Sequence, residues 1–261
     1  MTRVQTPSAM AVPDRRWRRV AALWLACWVC LVLYGMPAAW LLPLLDDQLA
    51  ADALHGSIHE GRALNARLGN PAQRVAVGDL SWRLLPLHSL RNGSVCVQFA
   101  SELGAQTAAG IACLQGAASL TLQDLTLELP AAYTQQAQGL QLRGDILLHV
   151  SSLRIRSGRL ELLEGRGDWR AAAVHDGTQW LQLGELGMQL ALDARGTPEL
   201  TLVDIAAPFR ARLQFAADAA GRLRMRGEVT RTPATPQALL QVLGFLAAER
   251  EGEHYRLDLN W

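Results

Sequence analysis

Lysine is absent from this 261-residue chain; all 25 of its basic side chains are arginine. A phosphate-cradling glycine loop ending in Gly-Lys-Ser is thereby excluded. Neither a G-x-S-x-G nucleophile elbow nor an HExxH zinc helix is present, so the sequence displays no catalytic set and implies no cofactor. Net charge is also lacking: 24 acidic residues leave +1, which gives no general field for attracting nucleic acid. With half of the residues apolar, the same balance excludes an intrinsically disordered chain.

Between Val20 and Leu45 charge is missing altogether. An apolar run of roughly 20 residues suffices to span a bilayer. Arg15, Arg16, Arg18 and Arg19 stand directly before the run, and Asp46, Asp47 and Asp52 follow it. By the positive-inside rule the N-terminus is expected in the cytoplasm and the remaining chain across the membrane, with Trp17 and Trp40 as interfacial belts. A cleaved signal peptide is the competing reading. The weak Ala-x-Ala spacing and the continuation of the run past Pro37-Ala38-Ala39 to Leu45 favour a retained anchor. Pro37 and Pro43 are expected to break the helix at its outer end, leaving a span near Trp17 to Met36. The predicted organisation is a basic cytoplasmic tail over 1–16, a transmembrane anchor over 17–45 and a β-rich periplasmic domain over 46–261.

The four cysteines fall into two pairs. Cys27 and Cys30 have CxxC spacing but lie in the apolar run, where hydrocarbon raises a thiol's pKa, so they read as ordinary helix-packing or lipid-facing residues. Cys96 and Cys113 lie in two strand-like runs. If these form a hairpin with Cys96 opposite Cys113, Ala100 faces Ala109, Leu103 faces Gln106, and Gly104-Ala105 occupies a two-residue turn with glycine where a type II′ turn wants it. Turn chemistry and cysteine spacing thus agree on one register and predict a cross-strand disulfide, against the alternative of two buried thiols.

Leu44 to Leu54 reads as a short amphipathic helix, and His55-Gly56-Ser57 as a break. Beyond it the apolar period becomes two: Leu120 and Leu122; Leu125, Leu127 and Leu129; Ile146, Leu148 and Val150; and so on to Tyr255, Leu257 and Leu259. Turn signals at Arg156-Ser157-Gly158, Asp176-Gly177, Arg195-Gly196-Thr197-Pro198 and Ala220-Gly221 follow at short intervals, which favours antiparallel neighbours. Thr235-Pro236 resembles an N-cap followed by a first-turn proline, and Leu239, Leu240, Leu243 and Leu246 predict a helix over 236–249. The predicted fold is mainly β: an N-terminal transmembrane helix, then an elongated, curved antiparallel sheet with one short C-terminal helix. The apolar sheet face must be buried by folding over, by curling into a groove, or against lipid in a channel; the pattern is compatible with each.

His55, His59 and Glu60 suggest a metal site only superficially, because Gly56 and Ser57 interrupt the helical spacing and no third ligand cluster is present. Arg143-Gly144-Asp145 and Arg166-Gly167-Asp168 read as turns at strand reversals. Arg154 and Arg156, Arg210 and Arg212, and Arg222, Arg224 and Arg226 alternate with apolar neighbours as a solvated strand face.

Three segments in order carry a family resemblance: Pro37-Ala38-Ala39-Trp40, then Leu54-His55-Gly56-Ser57-Ile58-His59-Glu60-Gly61, then Leu80-Ser81-Trp82-Arg83-Leu84-Leu85-Pro86. They resemble the N protein (GspN) family of the bacterial type II secretion system, with Pro37, Trp40, Gly56, Ser57, Gly61, Trp82 and Pro86 as the motif positions. The family usually has tryptophan where this chain has His59. The likeness extends more diffusely to Trp169 and the strand repeats. It implies a non-enzymatic accessory of the machine that exports folded proteins, facing the periplasm from the inner membrane. Its partners would be other inner-membrane and periplasmic secretion components, and not nucleic acid. Trp82 is expected in a core strand ending at Pro86. The alternative is a lipid-binding or lipid-transfer module like AsmA or lipopolysaccharide-bridge proteins, with lipid as ligand.

Overall fold

The computed structural model describes residues 15–41, 49–70, 74–116, 118–133, 141–217 and 222–260. Helix α1 covers Arg15–Gly35, and a 3-10 turn follows at Ala38–Leu41. Fifteen strands come next: β1 Leu49–Ala50, β2 Ala53–Gly56, β3 Glu60–Leu68, β4 Val75–Leu84, β5 Val95–Leu103, β6 Gln106–Gln115, β7 Ser119–Pro130, β8 Leu142–Arg156, β9 Arg159–His175, β10 Trp180–Leu192, β11 Pro198–Ala206, β12 Phe209–Ala217, β13 Leu223–Arg231, β14 Ala247–Glu251 and β15 His254–Asn260. Helix α2, Pro86–Asn92, joins β4 to β5, and helix α3, Gln237–Leu246, joins β13 to β14. Every pairing is antiparallel in one sheet of order β1-β3-β4 through β13-β15-β14, with β2 also on β3.

One register row explains why a single sheet forms. Leu54, Ala63, Leu80, Ser101, Ala108, Leu127, Leu148, Gly167, Met188, Leu202, Leu213, Gly227, Leu257 and Ala247 are successive cross-strand partners. All but Ser101 are apolar or glycine, and because side chains alternate, a one-residue slip anywhere would turn a strand's apolar set outward. The adjacent row Leu125, Val150, Gly165, Leu190, Leu200, Phe215, Met225 and Leu259 repeats the pattern.

This apolar face is buried unequally. Towards the C-terminal strands Leu239 and Leu243 of α3 and Ala131 pack with Trp169, Leu186, Met188, Val229, Tyr255 and Leu257. A smaller cluster centres on Leu125, Val150 and Leu163, with half-buried leucines and Phe99 around it. Among the described residues no polar or charged residue is buried. The opposite face carries the arginines as expected: Arg154, Arg156, Arg210 and Arg212 are exposed, and Arg224 meets Asp258 across β13 and β15 at 3.1 Å.

Several sequence expectations need correction. Helix α1 ends at Gly35, within a residue of the expected end of the span near Met36, but its uncharged part from Val20 is roughly 24 Å long, short of the roughly 30 Å hydrocarbon core. Among the described residues no helix is long and apolar enough to cross a membrane. Pro37 is the physical reason for the break, because its neighbours turn into a bridge with Ser57 instead of continuing the helix. The expected amphipathic helix over Leu44 to Leu54 is replaced, where described, by β1 and β2, which extend the sheet edge on β3. Arg143-Gly144-Asp145 and Arg166-Gly167-Asp168 are not turns. They lie inside β8 and β9, where Gly144, at φ +105°, makes an irregularity in register. The C-terminal helix stops at Leu246 instead of 249, because Ala247–Glu251 pairs with β15 as the outermost strand. Thr235 does not cap it; the cap position is Pro236, and the Thr235 hydroxyl donates to the Pro208 carbonyl at 2.7 Å. Residues 1–14 of the basic tail, Pro43, Leu45, Asp46, Asp47 and the Ala220-Gly221 turn lie outside the described residues.

The Asp176 turn between β9 and β10 provides a pH-dependent local tie. Its carboxylate accepts the Gln179 N–H at 2.8 Å and the Thr178 N–H and hydroxyl at 2.7 Å, which pulls its pKa down from 3.8 to about 2. A depressed pKa means the stabilisation is complete above the unfolded value and fades as pH falls from about 4 towards 2. Asp176→Ala should therefore melt below the wild type at neutral pH, and the gap should narrow over that interval.

Candidate functional site

The motif positions are separated by up to fifty residues in sequence, yet they meet at one corner of the sheet. The chain leaving α1 is held there by main-chain bonds: the Ile58 N–H donates to the Met36 carbonyl at 3.0 Å, and Pro37 forms a β-bridge with Ser57. Ala38, just beyond, is fully buried, whereas Trp40 is 65% exposed. The turn between β2 and β3 that receives this segment is shaped by Gly56, at φ +88°, where an added Cβ would strike the Glu60 carbonyl. Ser57 closes the turn by donating its N–H to that carbonyl at 2.8 Å, while its hydroxyl accepts the Glu60 N–H at 3.2 Å.

Trp82 locks the corner from the next strand. Gly61 is its direct cross-strand partner, and the indole lies on the glycine's bare face, the space a Cβ would fill. The indole Nε1 donates to the Ile58 carbonyl at 3.1 Å. Ile58 thus donates to the segment leaving α1 and accepts from Trp82, linking the helix end to β4 through one residue. Alongside, Arg83 pairs with Glu60 at 2.7 Å, and that hydrogen bond, more than the opposite charge itself, holds the Glu60 carboxyl below its ordinary pKa. The Leu84 N–H donates to the His59 carbonyl at 2.7 Å, and Pro86 opens α2 two residues later. Among the described residues, Glu60 binds Arg83 rather than joining His55 and His59 as a ligand set.

Helix α2 then covers the predicted disulfide. Cys96 and Cys113 are joined and are register partners, and Leu103 pairs with Gln106 at the far end of the same hairpin. Gly104 takes φ +60° as the turn requires. The Ser89 hydroxyl donates to the Leu85 carbonyl at 2.8 Å and accepts the Cys96 N–H at 2.9 Å. His88 presents Nε2 toward the two sulfurs, all within 4.8 Å of one another. Both sulfurs are consumed in the disulfide, so the thiolates a soft metal ion would require are not available. Helix α2 was not foreseen from the pattern, although Pro86 at its first position and Gly93 in a left-handed cap at φ +59° are the signals that would have found it. Closure of a loop of this length stabilises a chain by about 3 kcal/mol, so Cys96→Ser with Cys113→Ser should lower stability by that amount, measured by denaturant unfolding with and without reductant.

Of the remaining positions, Arg19 is exposed on α1 and Cys27 is a free thiol there. Arg15, Arg16 and Arg18 belong to the first turn of α1. Among the described residues, the corner forms a clamp between the end of α1 and the sheet edge.

Compared with known families, the chain matches the model of type II secretion system protein N over residues 47–258. The chain belongs to this family. No curated protein and no solved structure matches it. The match runs from just before β1 into β15; Gly56, Ser57, Gly61, Trp82 and Pro86 lie inside it, and Pro37 and Trp40 precede it.

Proposed function

We propose that this protein N is a non-enzymatic accessory subunit of the type II secretion system, held in the inner membrane by its N-terminal segment with the sheet in the periplasm. The observation that carries this reading is the clamp: Pro37, Gly56, Ser57, Gly61 and Trp82, positions that carry the sequence resemblance, fasten the segment after α1 to β2, β3 and β4. A protein whose motif residues hold an anchor to a scaffold acts by position and contact, not by chemistry. Helix α1 presents Leu23, Trp24, Leu25 and Trp28 outward, as lipid contact requires and water would penalise. The arginines at the start of α1 set the direction. Secretion partners would meet the polar sheet face or the β14 edge, where Glu249, Arg250 and Glu251 discourage indiscriminate strand pairing.

Crosslinking of the tagged full-length chain in its host tests this. The expected result is recovery of inner-membrane platform components, together with protease cleavage of the sheet in spheroplasts, whose outer membrane is opened, but not in intact cells. A complex free of those components would refute it. The half-covered apolar rows on β4 to β8 favour a lipid-handling module as second reading; acyl lipid retained through purification and seen by native mass spectrometry would promote it over the first.

A further inference from the structure

The anchor-side end of the sheet gathers α2 and the turns β6–β7, β8–β9 and β10–β11. It differs from the far end in apolarity. A surface helix normally turns its apolar side to the core. Helix α2 does the reverse: Ser89 and His88 face the disulfide, while Leu87 and Leu90 are 83% and 82% exposed. Arg91 is exposed as well, and the spacing 87, 90, 91 places all three side chains on one side of the helix. The start of α2 is tied to the end of α1 by the Leu84–His59 and Ile58–Met36 hydrogen bonds, so this outward side lies beside the point where the chain leaves α1.

The neighbouring turns carry Arg159 and Arg195, both exposed, and Arg156. The acidic groups among them are engaged: Asp193 accepts the Arg195 and Thr197 N–H groups at 2.8 Å, and Glu161 faces Arg156 at 3.7 Å. The far end bears Asp176, Glu251 and Glu253 at its tips, with Arg231 facing Glu253 at 3.7 Å and Arg250 beside Glu251, and among the described residues carries no comparable pair of exposed leucines on a helix. Exposed leucines flanked by arginine and adjacent to an apolar helix match a membrane–water interface rather than bulk solvent.

We propose that this rim rests on the bilayer, with Leu87 and Leu90 inserted among lipid chains and Arg91, Arg159 and Arg195 against the headgroups of anionic phospholipid. The sheet would then stand with its strands rising from the membrane surface and its far tips away from it. This rests on the anchored reading above, and the test separates the two. A photo-crosslinking amino acid is placed in the full-length chain at position 28 on α1, at 87 or 90, and at 253, in nanodiscs of phosphatidylglycerol or of phosphatidylcholine. Phospholipid adducts are expected at 28, 87 and 90 but not at 253, and those at 87 and 90 should diminish in the neutral lipid. Adducts at 28 with none at 87 and 90, or equal yields there in both lipids, would overturn the rim proposal while leaving the anchor standing. Absence of adducts at 28 as well would overturn both.

Discussion

Trp169→Ala should destabilise the sheet by about 3–5 kcal/mol, the range for removing a large aromatic from a packed core, and lower the melting temperature by roughly 6–20 °C. Trp169 is 8% exposed and lies in a register row between Ile146 and Leu186, at the heart of the C-terminal cluster that α3 closes. Its indole N–H donates to the Arg143 carbonyl at 2.9 Å. The adjacent Gly144, at φ +105°, leaves room for the ring: an added Cβ would come within 2.9 Å of Nε1 and 2.7 Å of the Ala171 carbonyl. Truncation leaves both a cavity and an unpaired carbonyl in the longest strand pair. Trp169→Phe isolates the second effect, since it keeps most of the apolar area, and should cost about 1 kcal/mol. Urea unfolding followed by far-UV circular dichroism distinguishes the two; equal small losses would show that the cluster repacks around the missing ring.

The strands were readable because burial on one face imposes a period of two, and each error would expose a whole apolar set. The Cys96–Cys113 register was readable because the Gly104 turn pins it within a few residues. Where local signals compete with long-range pairing, the sequence misleads. Gly-Asp in Arg143-Gly144-Asp145 is ordinary turn chemistry, but here the neighbouring strands continue on both sides and absorb the glycine as an irregularity. Ala247-Ala248-Glu249-Arg250 are good helix formers, yet pairing with Tyr255 and Leu257 at a sheet edge outweighs that weak preference. The clamp was the least legible feature. Its members could be recognised individually, but Ile58, which joins them, works through its backbone N–H and carbonyl, and a residue acting through its main chain leaves no side-chain signature. The end of the helix was readable only in part: Pro37 marks it in sequence, whereas the main-chain bond from Ile58 to Met36 that accompanies the helix end at Gly35 leaves no signal there.

Gly61→Val should be the most damaging single change at the clamp, with a loss of about 3–4 kcal/mol. Any Cβ at 61 would enter the indole of Trp82 and come within 2.7 Å of the His55 carbonyl, and valine adds two methyl groups on a strand that cannot twist away without losing its pairing to both β2 and β4. The ring is the more mobile obstacle, so Trp82 should swing out, breaking its bond to Ile58 and with it the tie to Met36. The site is removed from both buried clusters, so the consequence should be regional: circular dichroism nearly native, but new protease cleavage between Met36 and Glu60. Trp82→Ala alone should cost about 2–3 kcal/mol, less than a fully buried tryptophan because the ring is only half covered. In the double variant the collision with the ring is gone, so the combined loss should fall short of the sum of the two single losses. Strict additivity would mean that Gly61 and Trp82 do not act on the same bond, and the Ile58–Met36 bond and the Pro37–Ser57 bridge would then fasten the helix to the sheet without help from the indole.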